Sequence, residues 1–246
     1  HEASGGRSTA VAPSLAYARK DRKPQTGDPV PSRYMAQLVE AVGTDRIVTL
    51  DVHNLAAYQN AFRIHADHLE ALPLFVAHFA AVLANEERII VISPDIGGAK
   101  RADRFRIALQ ARLGREIAFG FMEKARARGR MTAGQLYGDV AGRAVVILDD
   151  LISTGGTLRS AGAAAKEQGA RVVYAAASHG VFVGGADQAL AGDELDGVVV
   201  TDTIPPFRLY TEAAQRKLTV LTATDLFAEA IRRIHTGGSL VDLLAS

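Results

Sequence analysis

The sequence predicts an α/β protein built on mostly parallel sheets flanked by helices. Short β-branched runs alternate with alanine-rich segments of helical period, and several runs are followed at once by acidic, hydroxyl or glycine residues. The runs Ile47–Leu50, Ile89–Ile92, Val145–Leu148, Val172–Tyr174 and Val198–Val200 are apolar throughout, as strands covered on both faces are. Between them, Ser32–Val42, Glu70–Leu83, Ala99–Leu113, Gly156–Gln168 and Asp225–Ile234 carry a helical pattern. Such alternation implies right-handed crossovers between parallel strands. A further strand is expected over Ser8–Ala12, and a domain boundary near Leu72-Pro73, where one strand-loop unit ends and a new helix begins. Lys20–Pro31, with three prolines, many charges and no apolar period, reads as a loop.

Composition narrows the function. The 246 residues are 48% hydrophobic and 22% charged, enough for one large or two smaller cores. Lys and Arg number 28 against 27 Asp and Glu, so a net charge of +1 supplies no bulk field for nucleic acid or an anionic membrane. An anionic ligand must be held by local groups. No cysteine is present, which excludes disulfides, thiolate catalysis and zinc fingers and fits a cytoplasmic protein. Nor does any run approach the roughly 18 apolar residues of a membrane span.

In parallel sheets, ligands sit beyond the carboxyl ends of the strands. Four segments there draw attention: Asp51-Val52-His53, Ser93-Pro94-Asp95, Asp149-Asp150 and Thr201-Asp202-Thr203. The third opens the most informative stretch, Asp149-Asp150-Leu151-Ile152-Ser153-Thr154-Gly155-Gly156-Thr157. Gly155 and Gly156 let backbone N–H groups crowd an anion, while Ser153, Thr154 and Thr157 add hydroxyl donors at the start of a helix. A terminal phosphate suits that turn. The carboxylates of Asp149 and Asp150 would repel a phosphate, and suit vicinal hydroxyls or a divalent cation instead. Phosphate at one end and a diol at the other describe ribose 5-phosphate. An isolated Gly-Gly would be an ordinary strand-to-helix turn; the acid pair, hydroxyls and glycines together in this order are more specific.

This stretch resembles the phosphoribosyl-pyrophosphate loop shared by type I phosphoribosyltransferases and ribose-phosphate pyrophosphokinases. Other segments resemble the pyrophosphokinases in particular. Tyr17-Ala18-Arg19-Lys20-Asp21-Arg22-Lys23 is similar to their stretch for ATP phosphates, Asp51-Val52-His53 to a strand-end metal and ATP site, and Ser93–Arg101 to a second metal-site motif. The likeness continues through Ser178–Phe182 and Val200–Pro205 to the last helix.

The resemblance implies two phosphoribosyltransferase-like domains. The first would be incomplete and span 1–70, the second would span 71–224, and C-terminal helices over 225–246 would pack back on the first. It implies ATP and ribose 5-phosphate as substrates, Mg2+ as cofactor and a cytoplasmic homo-oligomer. Implied ATP-binding residues are Arg19, Lys20, Asp21, Lys23 and His53, with His53 and Asp95 at magnesium. Asp149, Asp150, Ser153, Thr154, Gly155, Gly156 and Thr157 would hold the sugar phosphate, and Arg19, His53, Lys124 and Arg126 would act in catalysis. In the family a lysine, and an arginine two residues later, follow a strand. Aligned on Glu116–Arg126, Met122 takes the lysine position and Lys124 the arginine position, so Lys124, Arg126 or Arg128 is expected to replace the lysine. The alternatives are a regulatory homologue without turnover and a type I phosphoribosyltransferase.

Overall fold

The computed structural model describes residues 6–123 and 134–245, together with the backbone of 126–127 and 130–131. The chain forms two compact units: the residues up to Ala71 group with the last residues from Leu244, at the end of the final helix, and Leu72–Leu243 form the other.

The first unit is a three-stranded parallel sheet in the order β1 (Thr9–Val11), β2 (Arg46–Leu50), β3 (His65–Leu69). Its crossovers carry α1 (Pro31–Ala41) and α2 (Leu55–Ala61). Pro31 opens α1, where its missing N–H costs nothing, and Asn54 caps α2 by accepting a hydrogen bond from the Ala57 amide at 3.1 Å. Ala36, Ile47, Val52, Tyr58 and Phe62 make the core. Its one buried phenol, Tyr58, donates to the Asp67 carbonyl at 3.1 Å, which satisfies a hydroxyl that burial would otherwise penalise. His65 and His68 lie on β3, a strand whose polar sequence, His-Ala-Asp-His-Leu, carries no apolar run.

The second unit, Leu72–Leu243, holds a seven-stranded sheet. In chain order it comprises α3 (Leu72–Val82), β4 (Ile89–Ser93), a 3-10 turn (Ile96–Gly98), α4 (Ala99–Leu113), β5 (Ala118–Glu123), the short pair β6 (Arg126–Ala127) and β7 (Arg130–Met131), and β8 (Gln135–Tyr137). Then follow β9 (Ala144–Ile152), α5 (Gly156–Glu167), β10 (Val172–Gly180), α6 (Ala186–Ala191), β11 (Gly197–Thr201), α7 (Glu212–Lys217), β12 (Leu218–Leu221), α8 (Thr224–Thr236) and α9 (Leu240–Ala245). The strand order is β12-β11-β10-β9-β4-β5-β8, parallel except for the antiparallel β5–β8 pair.

Along the central strands the side chains alternate between two cores. Ile90, Ile92, Val145, Ile147, Val173 and Ala175 join Leu158, Ala161 and Ala165 of α5. On α3 and α4, Phe79 and Phe105 meet edge to face at 5.8 Å, with Tyr174 at 6.0 Å from Phe79.

Two expectations are corrected. The acid pair does not follow its strand but lies inside it, because β9 and β10 stay paired through Asp149↔Ala177 and Ile152↔Gly180. The helix expected from Glu70 begins at Leu72, since Leu69 and Ala71 are still engaged with Asp51: the Asp51 amide donates to Leu69 and the Ala71 amide to the Asp51 carboxylate.

Candidate active site

Strand order reverses between β4 and β9. From β4 the chain moves outward to β5 and β8, then returns to β9 on the other side of β4 and continues to β12. At such a reversal the loops leaving neighbouring strands diverge and open a crevice at their carboxyl ends. The loops after β4 and β9 are those that carry Asp95 and the Ser153–Thr157 turn.

After β4 the chain folds tightly. Ser93 Oγ donates to the Asp95 carbonyl at 2.6 Å, and Asp95 Oδ1 accepts from the Gly98 amide at 2.9 Å, capping the 3-10 turn that leads into α4. One turn on, Arg101 reaches across to Asp150 at 3.3 Å. Asp150 is almost fully buried, and a buried carboxylate needs such a partner. Its amide donates to Asp149 Oδ1 at 2.8 Å. Burial, then the neighbouring Asp150, and finally Asp95, push the Asp149 carboxyl up to about 7. Three carboxylates and one guanidinium thus share one small region. Arg101 lay inside a motif visible in the sequence, but nothing local distinguished it from Lys100; its role needed the fold.

Beyond Ile152 the turn is held from behind. The amides of Val181 and Phe182 both donate to the Ile152 carbonyl, at 3.0 and 3.1 Å, and that of Val183 to the Ser153 carbonyl at 2.9 Å. Gly155, at φ 75°, precedes α5 and offers no side-chain cap, so the first turn of the helix presents its backbone donors to an incoming anion. A Cβ at Gly155 would lie 2.9 Å from Ala189 Cβ, so α6 packs directly against the turn.

In the first unit, Arg19, Lys20, Arg22 and Lys23 are exposed on the segment after β1, and Asp21 is half-buried and accepts from Asn54 Nδ2 at 2.8 Å. His53 is exposed two residues beyond Asp51. Tyr17, Asp51 and Phe182 are the positive-φ non-glycine residues among the described residues, at 61°, 40° and 49°. They fall in the basic segment, at the end of β2 and behind the Ser153–Thr157 turn. Strained backbone of this kind persists where surrounding structure enforces it, often beside a ligand.

A family model described as the phosphoribosyl synthetase-associated domain matches residues 121–245, and that of the N-terminal domain of ribose phosphate pyrophosphokinase matches 1–43. A ribose-phosphate pyrophosphokinase from Pasteurella multocida is 41% identical over 241 residues, 97% of this chain and 73% of its own length. The chain belongs to the ribose-phosphate pyrophosphokinase family. Its Clostridium acetobutylicum relative is 38% identical over 236 residues, covering 95% of this chain and 70% of its own. The crystal structure of phosphoribosylpyrophosphate synthetase from Mycobacterium smegmatis superposes with a TM-score of 0.84 at 33% identity, over 96% of this chain and 74% of that one.

Membership in the pyrophosphokinase family sharpens one correction. Met122, expected at the family's lysine position, points into the core at 4% exposure and is paired with buried Leu136 across β5 and β8. It cannot stand at the substrate. The strand ends at Glu123, whose carboxylate accepts from the Tyr137 hydroxyl at 3.0 Å, and the first residues after it are Lys124-Ala125-Arg126. Those residues themselves meet the spacing of a lysine and an arginine two residues later, directly after a strand. Lys124 lies outside the described residues, and Arg126 is described only as backbone in β6.

Proposed function

We propose that this chain transfers pyrophosphate from ATP to ribose 5-phosphate, giving 5-phosphoribosyl 1-pyrophosphate and AMP. The convergence of the acid pair, Asp95 and an uncapped glycine turn at the β4/β9 reversal is the observation that carries the reading. The C1 hydroxyl oxygen forms a bond to the β-phosphorus of ATP as the bond from that phosphorus to the α,β-bridging oxygen breaks. The electron pair leaves with AMP and the hydroxyl proton passes to solvent or a nearby base.

Asp149 and Asp150 accept from the ribose hydroxyls, and Ser153, Thr154, Gly155, Gly156 and Thr157 hold the 5-phosphate. Arg19, Lys20, Lys23 and His53 serve the ATP phosphates, with Asp21 in the same segment. Lys124 and Arg126 supply the cations that offset charge spreading over the transferring phosphoryl oxygens. His53 in the first unit and Asp95 in the second are each a candidate ligand for Mg2+, which when bound neutralises phosphoryl oxygens. The residues fit that ion. Burial, the neighbouring Asp150 and Asp95 raise the Asp149 carboxyl to about 7, so negative charge is crowded where a cation would relieve it. Magnesium typically takes one or two carboxylates, water and substrate phosphates.

AMP formation from ATP, dependent on ribose 5-phosphate and Mg2+, tests the reading. Lys124→Ala should lower kcat by about 10²–10³, the loss typical of one charge-stabilising donor. Met122→Lys should lower Tm without raising turnover, because it buries an ammonium in the β5–β8 core. A wild-type chain that binds both substrates but forms no AMP would overturn the reading in favour of a regulatory homologue.

We also propose a cytoplasmic homo-oligomer. The absence of cysteine suits a reducing compartment. Tyr34, Leu38 and Val42 form an apolar stripe at successive turns along α1 and its C-cap, exposed by 56%, 65% and 82%. Among the described residues, no helix is long and apolar enough to cross a membrane.

A further inference from the structure

Four cations in the seven residues Tyr17–Lys23 repel one another, and the segment belongs to no helix or strand. Backbone bonds shape it, from the Ala18 amide to the Leu15 carbonyl at 3.4 Å, from the Lys20 amide to the Tyr17 carbonyl at 2.8 Å and from the Ser32 amide to the Lys20 carbonyl at 3.2 Å. Asp21 sits in the middle, with Arg19-Lys20 before it and Arg22-Lys23 after it. Its carboxylate is a poor partner for a triphosphate, because like charges repel. Instead it accepts from Asn54 Nδ2 at 2.8 Å. Asp21 and Asn54 line a cavity of about 10 Å3 with Leu15, Ala18, Val52 and Tyr58, far too small for a nucleotide. Asp21 is therefore engaged with the protein.

Asn54 uses both ends of its amide. The oxygen caps α2 through the Ala57 amide, and the nitrogen holds Asp21. It also directly follows His53. One side chain thereby ties the basic segment to the end of β2 that presents His53.

We propose that Asn54 is a positioning residue that fixes the cationic segment, through Asp21, in register with His53 for the phosphates of ATP. This rests on the assignment of ATP to that segment. Without the tie, mutual repulsion spreads the four cations and ATP must order them on binding.

The test is titration calorimetry with ATP and, separately, with ribose 5-phosphate. The proteins are wild type, Asn54→Asp, and the reversed pair Asp21→Asn with Asn54→Asp. Asp still caps a helix, so the single variant keeps α2 while replacing the donor with a second carboxylate opposite Asp21. The reversed pair restores one donor and one acceptor. The expected result is about tenfold weaker ATP binding in the single variant, the scale of one hydrogen bond to a charged group, with ribose 5-phosphate affinity unchanged. The reversed pair should recover ATP affinity to within about threefold of wild type. Unchanged ATP affinity in Asn54→Asp overturns the proposal, as does a reversed pair as weak as the single variant or a wild type that binds no ATP. Failure of the transfer reading is distinct: wild type would bind ATP yet form no AMP, while the affinity comparison would still decide the clamp.

Discussion

Asp149 combines burial with two nearby carboxylates, and the pH dependence that follows has a definite sign. Its folded pKa is raised from 3.8 to about 7, so its contribution to stability is complete below pH 3.8 and is lost as pH rises toward 7. Above that pH the ligand-free protein carries the cost of a buried, crowded carboxylate. Asp149→Asn should therefore raise Tm relative to wild type at pH 8 and change it little at pH 4, measured calorimetrically without ligands. A cation at this cluster competes with the proton, so Mg2+ should raise wild-type Tm more at pH 8 than at pH 6. The acid pair was visible in the sequence as a ligand site. That it is buried, strained by its own charge and relieved by Arg101 was not, because those properties depend on side chains from α4 that are some 50 residues away in the chain.

The Ser153–Thr157 turn depends on a layered support. α6 meets Gly155, the Val181–Val183 backbone holds Ile152 and Ser153, and Phe182 folds its ring back over Gly180. Behind these, Asp187 of α6 is buried and accepts from the amides of Tyr210 and Thr211 at 2.9 and 3.0 Å. Gly155→Ala places a Cβ both at positive φ and against Ala189, so it should displace the turn and raise KM for ribose 5-phosphate at least tenfold, with ATP affinity preserved. Asp187→Ala should move the same KM by a smaller factor and lower Tm, since the amides of Tyr210 and Thr211 lose their buried acceptor. Steady-state kinetics with each substrate varied in turn would check both. The apolar strands β2, β4, β9, β10 and β11 were legible because burial on both faces leaves continuous β-branched runs. β3 and β8 were not: His65–Leu69 is polar, and Gln135–Tyr137 is three residues long. Strand identity there comes from pairing with β2 and β5 rather than from local pattern.

For the molecule as a whole, near-neutral charge leaves recognition to local groups, as composition implied. The family was legible because its motifs stand at strand ends throughout the chain. At Met122 the sequence alone does not reveal where β5 ends; the alternation of buried Met122 with exposed Glu123 does. The α1 stripe makes a prediction at this scale. Leu38→Glu should lower the molar mass measured by light scattering if copies associate through that face, while changing the monomer's unfolding free energy by no more than about 0.5 kcal/mol, as exposed substitutions typically do. An unchanged oligomer would place the contact elsewhere.

Because Asp149–Ile152 remain in the β9–β10 ladder, the groups assigned to the sugar ring and those assigned to its phosphate differ in kind. The carboxylates ride on a strand whose amides should exchange with deuterium as slowly as the sheet core, whereas the amides of Ser153–Gly156 should exchange fast until an anion arrives. On that proposal the ring meets a strand template and the phosphate a turn held from behind by the Val181–Val183 backbone. Discrimination among pentoses would then fall on a surface with little freedom to adapt to the wrong one.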